Sequence, residues 1–380
     1  MVVIQSENVW INERFSPAAL WIEDGKIKEI MPYGSTKADV DYGKSRIFPG
    51  FIDIHSHGYQ GANANRMSVD GLLRWVHDLP DEGVTSFLFT TSTAPVQELY
   101  DSMDVYRQVK ATNPQGAHML GIHMEGPFLS KEFKGAHNPE WLLEPKLENF
   151  MPFYDRFKDE LKMIAIAIER DEDLAMSKFC IEKGIKVAIG HSAATFEDCK
   201  KAREIGVDDF THTFNAMKGL HHREPGAAGA AMRFDDMYAE LIADGVHVHF
   251  DVANLLGMRK GKDKLITVTD AVAIKGLPQG VYHFPDRTVT IDDKGCGHLE
   301  DGRLAGSSNK MNDLMRNLVG PIELPWDIAV NSLTINPATY LGLEKHKGKL
   351  AAGYDADITV LDENFNVVNT YVSGVSAAGV

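Results

Sequence analysis

Cysteines, long apolar runs and positive charge are all scarce in this chain of 380 residues, and each shortage excludes a class of protein. The three cysteines, Cys180, Cys199 and Cys296, have no paired spacing, so we expect no disulfide framework and a reducing, cytoplasmic setting. No apolar run approaches the roughly 20 residues of a membrane helix, and the first residues lack the basic and apolar segments of a signal peptide. A net charge of -15 disfavours nucleic acid and anionic membranes as partners, although local cations in a pocket could still bind a small anion.

Both ends of the chain consist of short strand-like segments separated by turn residues. Residues 19–22 and 26–30 flank an Asp-Gly pair, which is typical of a β-hairpin. Residues 357–361 and 367–372 have the same character. We therefore predict a small β-sandwich domain built from residues 1–48 and 346–380, with a large catalytic domain, residues 49–345, inserted between them.

The middle of the chain alternates short apolar segments with longer amphipathic ones, such as 96–112 and 171–183. The pattern predicts eight strands, at residues 50–55, 86–90, 119–124, 162–168, 186–189, 209–213, 239–242 and 265–269. Eight β-α units favour a (β/α)8 TIM-type barrel within an α/β fold. The alternative is a doubly wound open sheet, but no Gly-x-Gly-x-x-Gly follows the first strand to support it.

The first of these strands ends in His-x-His. Side chains alternate along a strand, so His55 and His57 point to the same face and could hold one metal ion between them. On its own the motif is weak, because two exposed histidines at a polar strand end would look the same.

Other candidate ligands follow other predicted strands. Glu125, His191, His212 and Asp270 each lie at or just beyond a strand end, which in a barrel is the rim that carries the active site. Each alone could be a solvated loop residue or a helix cap, but together they match a hydrolytic metal centre. Imidazole and carboxylate ligands suit zinc, iron or manganese.

These residues lie within motifs that extend over nearly the whole chain. The motifs are Pro-Gly-Phe-Ile-Asp with His-x-His-Gly (49–58), His-Met-Glu-Gly-Pro-Phe (123–128), Lys-Gly-Ala-His-Asn-Pro (134–139), Gly-His-Ser (190–192), Thr-His-Thr-Phe-Asn-Ala-Met (211–217), Arg-Glu-Pro-Gly (223–226), Ala-Asp-Gly-Val-His (243–247), Val-Thr-Asp-Ala (268–271) and Leu-Ala-Gly-Ser (304–307). The chain thereby resembles the amidohydrolase superfamily and, within it, the N-acetylglucosamine-6-phosphate deacetylases. The resemblance implies hydrolysis of the acetamide of N-acetyl-D-glucosamine 6-phosphate to D-glucosamine 6-phosphate and acetate, in amino-sugar catabolism.

The resemblance also implies the metal ligands. By match, Glu125, His191 and His212 bind the principal ion, while His55 and His57 hold a second ion that the glutamate bridges. Since both histidines of the pair are present, one or two divalent ions per subunit are expected.

The catalytic and substrate-binding residues are assigned in the same way. Asp270 resembles the general acid/base, and His137 resembles the histidine that assists the carbonyl oxygen. The residues expected at the phosphosugar are Asn215, Ala216, Arg223, His247 and, with less support, His222. In the family this arginine reaches into the neighbouring subunit's site, so the resemblance implies a homodimer.

The sequence leaves three alternatives open. The chain could hydrolyse another amide or another N-acetylated sugar phosphate, such as the galactose isomer, or could be an inactive barrel serving as a scaffold. A hydantoinase-like enzyme is disfavoured, because no lysine ends the fourth strand. The chain departs from the family pattern at Asn309, where an apolar residue is usual, so contacts at the acyl end of the pocket are in doubt.

Overall fold

The computed structural model describes residues 1–284, 287–292 and 296–377. The strands in these ranges are β1 Val2–Ile11, β2 Arg14–Glu23, β3 Lys26–Pro32, β4 Val40–Asp41, β5 Arg46–Pro49, β6 Phe51–Ser56, β7 Gly58–Tyr59, β8 Ala62–Asn63, β9 Val84–Thr91, β10 His118–Glu125, β11 Leu161–Ile166, β12 Lys186–Ile189, β13 Asp209–Phe210, β14 Ala239–Leu241, β15 Leu265–Thr267, β16 Gly280–Phe284, β17 Arg287–Ile291, β18 Gly297–Leu299, β19 Ile358–Leu361, β20 Val367–Val372 and β21 Val375–Ser376. The α-helices are α1 Val69–Asp78, α2 Val96–Ala111, α3 Leu147–Phe157, α4 Ala175–Glu182, α5 Phe196–Glu204, α6 Gly226–Arg233, α7 Phe250–Lys264, α8 Met311–Val319, α9 Trp326–Leu333 and α10 Ile335–Tyr340.

Strands from both ends of the chain form one sheet, in the order β21-β20-β19-β5-β1-β2-β3, with β4 beside β1. The β2–β3 hairpin turns at Asp24 and Gly25, whose φ angles of 51° and 74° are those that an Asp-Gly turn favours. Ile4, Leu20 and Ile358 are fully buried in a core that belongs to this sheet. The predicted hairpin and the shared β structure of the two chain ends are therefore confirmed.

A second sheet consists of six parallel strands in the order β13-β12-β11-β10-β9-β6. Every residue of β6 and β9 is buried, as expected for parallel strands that are covered on both faces. The strand order follows the chain order, whereas a doubly wound sheet reverses its direction near the middle. The α/β class is therefore confirmed, and the doubly wound alternative is wrong.

The last two predicted strands, β14 and β15, form a separate parallel pair beside this sheet. The backbone N–H of Thr213, just after β13, donates to the carbonyl of Glu240 in β14 at 2.9 Å. Beyond β15, the N–H of Asp270 donates to the carbonyl of His55 in β6, also at 2.9 Å. These bonds join the pair to both edges of the six-stranded sheet, so the ends of all eight predicted strands meet.

The two helices predicted between strands occur, one of them shortened. Helix α2 spans nearly the predicted range. Helix α4 begins later than predicted because Asp173 and Leu174 both have a φ of 53°, which interrupts the helical backbone. The carboxylate of Asp171 then accepts the N–H groups of Met176 and Ser177 in the first turn of α4.

The sequence prediction included neither the short β7–β8 pair nor a further small sheet. Between β15 and α8, the strands β16, β17 and β18 form a three-stranded antiparallel sheet. Its strands are short and half-exposed, so they carry no long apolar signal.

Within the described ranges, the helices are all too short or too polar to cross a bilayer. Cys180 and Cys199 are buried and form no disulfide. Burial raises the pKa of Cys199 to about 12, which keeps this thiol protonated and unreactive at neutral pH.

Candidate metal centre and active site

Five of the predicted ligands meet where the parallel strands end. His55 lies near the end of β6 and His57 follows this strand, Glu125 closes β10, and His191 and His212 follow β12 and β13. All five side chains are buried, with exposed fractions of 7% or less. The carboxyl ends of parallel strands lie at one edge of the sheet, which brings together residues that are far apart in the chain.

Glu125 lies at the centre of this cluster. Its Oε1 is 2.8 Å from His212 Nε2 and 3.1 Å from His191 Nε2. Its Oε2 is 3.1 Å from His57 Nε2, and His55 Nε2 lies 3.5 Å from Oε1. Glu125 therefore faces two pairs of histidines, with one carboxylate shared between them.

The outer nitrogens of three histidines have acceptors, which fixes where their protons lie. His55 Nδ1 contacts Glu240 Oε2 at 2.9 Å, His57 Nδ1 contacts the Thr90 carbonyl at 3.0 Å, and His191 Nδ1 contacts the Phe133 carbonyl at 2.8 Å. Because these acceptors require N–H donors, the lone pairs of the neutral rings lie on Nε2 and point inward. This is the arrangement of a metal-binding histidine.

The inward-facing nitrogens are also very close to one another. The Nε2 atoms of His55 and His57 are 3.1 Å apart, and those of His191 and His212 are also 3.1 Å apart. Two imidazole nitrogens at this distance repel each other unless a proton or a metal ion lies between them. The donor atoms form two groups, His55, His57 and Glu125, and Glu125, His191 and His212, each within 4.8 Å. The residues thus fit one or two divalent ions, with imidazole and carboxylate ligands.

The charge balance of the cluster favours a cation as well. Burial disfavours the charged form of His57, but Asp270 and Glu125 outweigh burial and raise its pKa to about 9. Burial also tends to lower the pKa of His55, but Glu240 and Glu125 outweigh burial and raise this pKa well above the ordinary value. The surrounding carboxylates therefore stabilise positive charge at this point.

Three of the site residues have a left-handed backbone. The φ angles of His191, His212 and Asp270 are 46°, 28° and 46°, in a region that non-glycine residues seldom adopt. Strain of this kind costs on the order of 1–3 kcal/mol per residue and clusters at functional sites. Here it turns the side chains that follow three different strands towards Glu125.

Asp270 lies beside the histidine pair of the first strand. Its Oδ1 is 3.2 Å from His57 Nε2 and 3.6 Å from His55 Nε2. Burial tends to raise the pKa of Asp270, but His55 and His57 outweigh it and hold the pKa below the ordinary value. The carboxylate is therefore ionised at neutral pH and can accept a proton.

His137 approaches Glu125 from a loop that follows β10. Its Nε2 lies 3.4 Å from Glu125 Oε2, while its Nδ1 accepts the backbone N–H of Thr93 at 3.3 Å and contacts Thr93 Oγ1 at 2.9 Å. Since an amide N–H only donates, the proton of neutral His137 is on Nε2, facing the cluster. Burial lowers the pKa of His137 to about 4, so the ring is a neutral donor at physiological pH.

A cavity of about 440 Å³ opens onto the cluster. Asn215, Ala216 and His247 line it, together with Asp270 and four of the predicted ligands. His247 Nδ1 contacts Asp244 Oδ2 at 2.6 Å, and Asn309 Nδ2 donates to the same oxygen at 2.9 Å. The residue that departs from the family pattern thus helps to orient His247 rather than lining the cavity.

Two predicted substrate residues lie elsewhere. His222 and Arg223 are exposed, in the segment between β13 and α6, and neither lines the cavity. Arg223 forms no ion pair with any described residue, including its neighbour Glu224, which instead pairs with Lys218 at 3.6 Å.

Sequence reasoning missed several residues around the site. Arg303 lines the cavity and donates to the Gly135 carbonyl at 2.6 Å, which ties the segment after β18 to the loop that carries His137. Thr93 and Glu240 contact site histidines. Only Glu240 had a signal in the sequence, as a charged residue within an otherwise apolar strand.

A histidine–carboxylate cluster at the carboxyl ends of parallel strands defines a class of protein, the α/β hydrolytic enzymes that use divalent metal ions. The chain belongs to the amidohydrolase family, whose family model matches residues 46–376. The predicted membership is therefore confirmed.

The chain is similar to several sugar-phosphate deacetylases. The N-acetylglucosamine-6-phosphate deacetylase of Bacillus subtilis (strain 168) is 35% identical over 373 residues, which cover 96% of this chain and 93% of that protein. The N-acetylgalactosamine-6-phosphate deacetylase of Escherichia coli O157:H7 is 31% identical over 375 residues, covering 98% and 97%. A solved structure from Mycobacterium smegmatis has a TM-score of 0.92, 30% identity and 99% coverage of both chains. It is an aspartate-to-alanine mutant of N-acetyl-D-glucosamine-6-phosphate deacetylase in complex with N-acetyl-D-glucosamine-6-phosphate.

Proposed function

We propose that this chain hydrolyses the acetamide of N-acetyl-D-glucosamine 6-phosphate, releasing D-glucosamine 6-phosphate and acetate. The observation that carries the proposal is the convergence of Glu125, four histidines and Asp270 in one cluster that opens onto a cavity. The similarity to deacetylases over nearly the whole chain supports the substrate.

The ligands Glu125, His191 and His212 would hold one ion, and His55 and His57 would hold a second that shares Glu125. Zinc, iron and manganese all suit these donors. A bound divalent ion supplies Lewis acidity, which makes water nucleophilic at neutral pH and polarises an amide carbonyl.

Asp270 and His137 transfer protons and stabilise the charge that develops during the reaction. Asp270, ionised at the cavity wall, takes the proton of the attacking water and then delivers it to the leaving amine. Without this delivery the amine would leave as an anion, which is prohibitive. His137 donates from Nε2 to the carbonyl oxygen, where negative charge develops as the tetrahedral species forms.

The sugar and its phosphate would occupy the remainder of the cavity. Asn215, the Ala216 backbone and His247 line it and offer hydrogen-bonding groups. Arg223, with His222 beside it, would reach the phosphate in the neighbouring subunit of a homodimer, as a planar fork suited to phosphate. Exposure of both side chains within one subunit supports this arrangement.

An exposed apolar surface also supports the homodimer. Leu255 and Met258 are three residues apart on α7, so they share one helix face, and they are 60% and 53% exposed. Leu220, which precedes Arg223 in the same loop, is 65% exposed. Leu255 and Met258, exposed on one face of α7, form an apolar patch of the kind that is typical of surfaces that associate.

We also propose a two-domain architecture and a cytoplasmic location for the protein. Residues 49–345, of which 285–286 and 293–295 lie outside the described residues, contain a complete (β/α)8 barrel, and the bonds that join β14 and β15 to both edges of the parallel sheet support it. Residues 1–48 and 346–380 form the β-sandwich domain, of which 378–380 lie outside the described residues. A cytoplasmic location agrees with the buried thiols of Cys180 and Cys199, which form no disulfide.

The direct test is acetate release from N-acetyl-D-glucosamine 6-phosphate by protein whose bound metal has been counted by elemental analysis. We expect rapid release with one or two ions per chain. No release from fully metallated protein would contradict the substrate, and a chain that binds no metal would contradict the centre itself.

The relative that acts on the galactose isomer favours a second candidate substrate, N-acetyl-D-galactosamine 6-phosphate. Measuring kcat/KM for both isomers, and for N-acetyl-D-glucosamine without phosphate, separates the possibilities. Equal rates with and without the phosphate would contradict the role proposed for Arg223.

A further inference from the structure

Glu240 is a fully buried carboxylate in the middle of β14 that contacts histidines of both proposed metal subsites. Its Oε2 accepts from His55 Nδ1 at 2.9 Å and from the backbone N–H of His212 at 3.0 Å. Its other oxygen, Oε1, has no hydrogen-bond partner. One oxygen atom therefore touches both halves of the cluster.

The contact with His55 determines which nitrogen faces Glu125. Because Oε2 is an acceptor, Nδ1 of His55 carries the proton and Nε2 presents its lone pair to the cluster. A carboxylate in this position also makes the imidazole a stronger ligand than a neutral acceptor would.

The contact with His212 acts on the backbone instead. His212 has a φ of 28°, so its peptide is held in an unfavourable conformation. Glu240 holds this segment at two points, since its side chain accepts the His212 N–H and its own carbonyl accepts the Thr213 N–H at 2.9 Å. A charged acceptor makes the first of these bonds stronger than one to a neutral group.

We infer that Glu240 is a positioning residue that couples the two metal subsites, by orienting His55 in one and fixing the backbone of His212 in the other. The inference rests on the metal centre proposed above. It predicts that removal of this one acceptor weakens the binding of both ions, whereas removal of a ligand of one subsite weakens mainly the binding of the ion at that subsite.

Asp209 provides a matched control for the loss of a buried carboxylate. It lies in β13, is fully buried, and neither of its carboxylate oxygens has a hydrogen-bond partner. Asp209 contacts none of the metal ligands through its side chain, so Asp209→Leu removes a buried carboxylate without removing an acceptor of the site.

The experiment titrates Zn²⁺ into metal-free protein against a chromophoric chelator, which gives the number of ions and the dissociation constant of each. The variants are Glu240→Met, which is similar in length but has no acceptor, and Glu240→Gln, which keeps an acceptor oxygen without the charge. Asp209→Leu and His55→Ala complete the set, and circular dichroism checks that each variant is folded.

We expect Glu240→Met to lower the affinity for both ions at least about tenfold, which is the effect typical of losing a hydrogen-bond partner of a metal-bound histidine. Glu240→Gln should weaken both to a smaller extent, and it remains informative if the Met variant does not fold. Asp209→Leu should leave both dissociation constants within about threefold of wild type, and His55→Ala should abolish one ion while largely retaining the other.

Several results would overturn the inference. Wild-type affinity for both ions in Glu240→Met, or weakening of one ion only, would mean that Glu240 does not couple the subsites. An equal loss in Asp209→Leu would assign the effect to buried carboxylates in general. Wild-type protein that binds a single Zn²⁺ would overturn the coupling of two subsites, whereas wild-type protein that binds no Zn²⁺ would contradict the proposed metal centre itself.

Discussion

Asp357 joins the terminal sheet to the parallel sheet, and the strength of this junction follows from its environment. The side chain, 6% exposed, accepts from Lys347 Nζ and from the Ser373 N–H at 2.8 Å, and His118 Nε2 of β10 lies 3.3 Å away. Burial tends to raise the pKa of this carboxyl, but His118 and Lys347 outweigh it and lower the pKa to about 2 from 3.8. Lowering the pKa from 3.8 to about 2 corresponds to about 2 kcal/mol in favour of the ionised form in the folded protein.

Asp357→Asn should therefore lower the free energy of unfolding by about 2 kcal/mol at pH 7, measured by urea unfolding followed through tryptophan fluorescence. The pKa is lower in the folded state, so the stabilisation is complete above the unfolded pKa and disappears as the pH falls through the folded value. The gap between wild type and variant should thus narrow as the pH falls below the ordinary value of 3.8.

Glu363→Gln is the control, because Glu363 is an exposed carboxylate in the turn between β19 and β20 of the same sheet. It should change the free energy of unfolding by less than about 0.5 kcal/mol. A loss of stability below about 0.5 kcal/mol in Asp357→Asn would refute the reasoning. An undiminished loss when Asp357→Asn is made in a Lys347→Met background would also refute it, since the charge of Lys347 would then contribute nothing.

Three further predictions concern catalysis. Asp270→Asn should lower kcat by about 10²–10⁴ while elemental analysis finds the wild-type metal content, and a near-normal rate would exclude Asp270 as the acid/base. Thr93→Val removes one of two contacts to His137 Nδ1, so steady-state kinetics should show kcat lowered about fivefold with KM less affected, and Thr93→Ser should restore it. Arg223→Ala should lower kcat/KM about 10- to 100-fold for the phosphorylated substrate only; an equal loss with N-acetyl-D-glucosamine would argue against a phosphate contact.

The ligands of the cluster were predictable because each follows an apolar strand in the sequence. His55, Glu125, His191 and His212 all come at or just after a buried run, and parallel strands place such residues at one edge regardless of their separation in the chain. Most of the eight strands were found for the same reason, since their residues are largely apolar.

The residues that support the ligands were not predictable in this way. Thr93 acts through its contact with a ring from a distant loop, and Arg303 through a carbonyl near His137, so neither contact leaves a pattern in the local sequence. The sheet of β16, β17 and β18 was missed because its strands are short and half-exposed. Left-handed backbone at His191 and His212 was likewise hidden, since tertiary contacts impose it on residues that do not favour it.

The pairing of β5 with β19 makes the order of synthesis matter. Phe48 lies opposite Thr359 in this ladder, so one side of β5 has no partner until nearly the whole protein has left the ribosome. Until then β5 is an open sheet edge with buried-type residues such as Ile47 and Phe48, which is the kind of surface on which nascent chains associate wrongly. A chain that stops before β19 keeps every ligand of the cluster yet leaves that edge exposed, so the last strands protect the whole protein during and after its production.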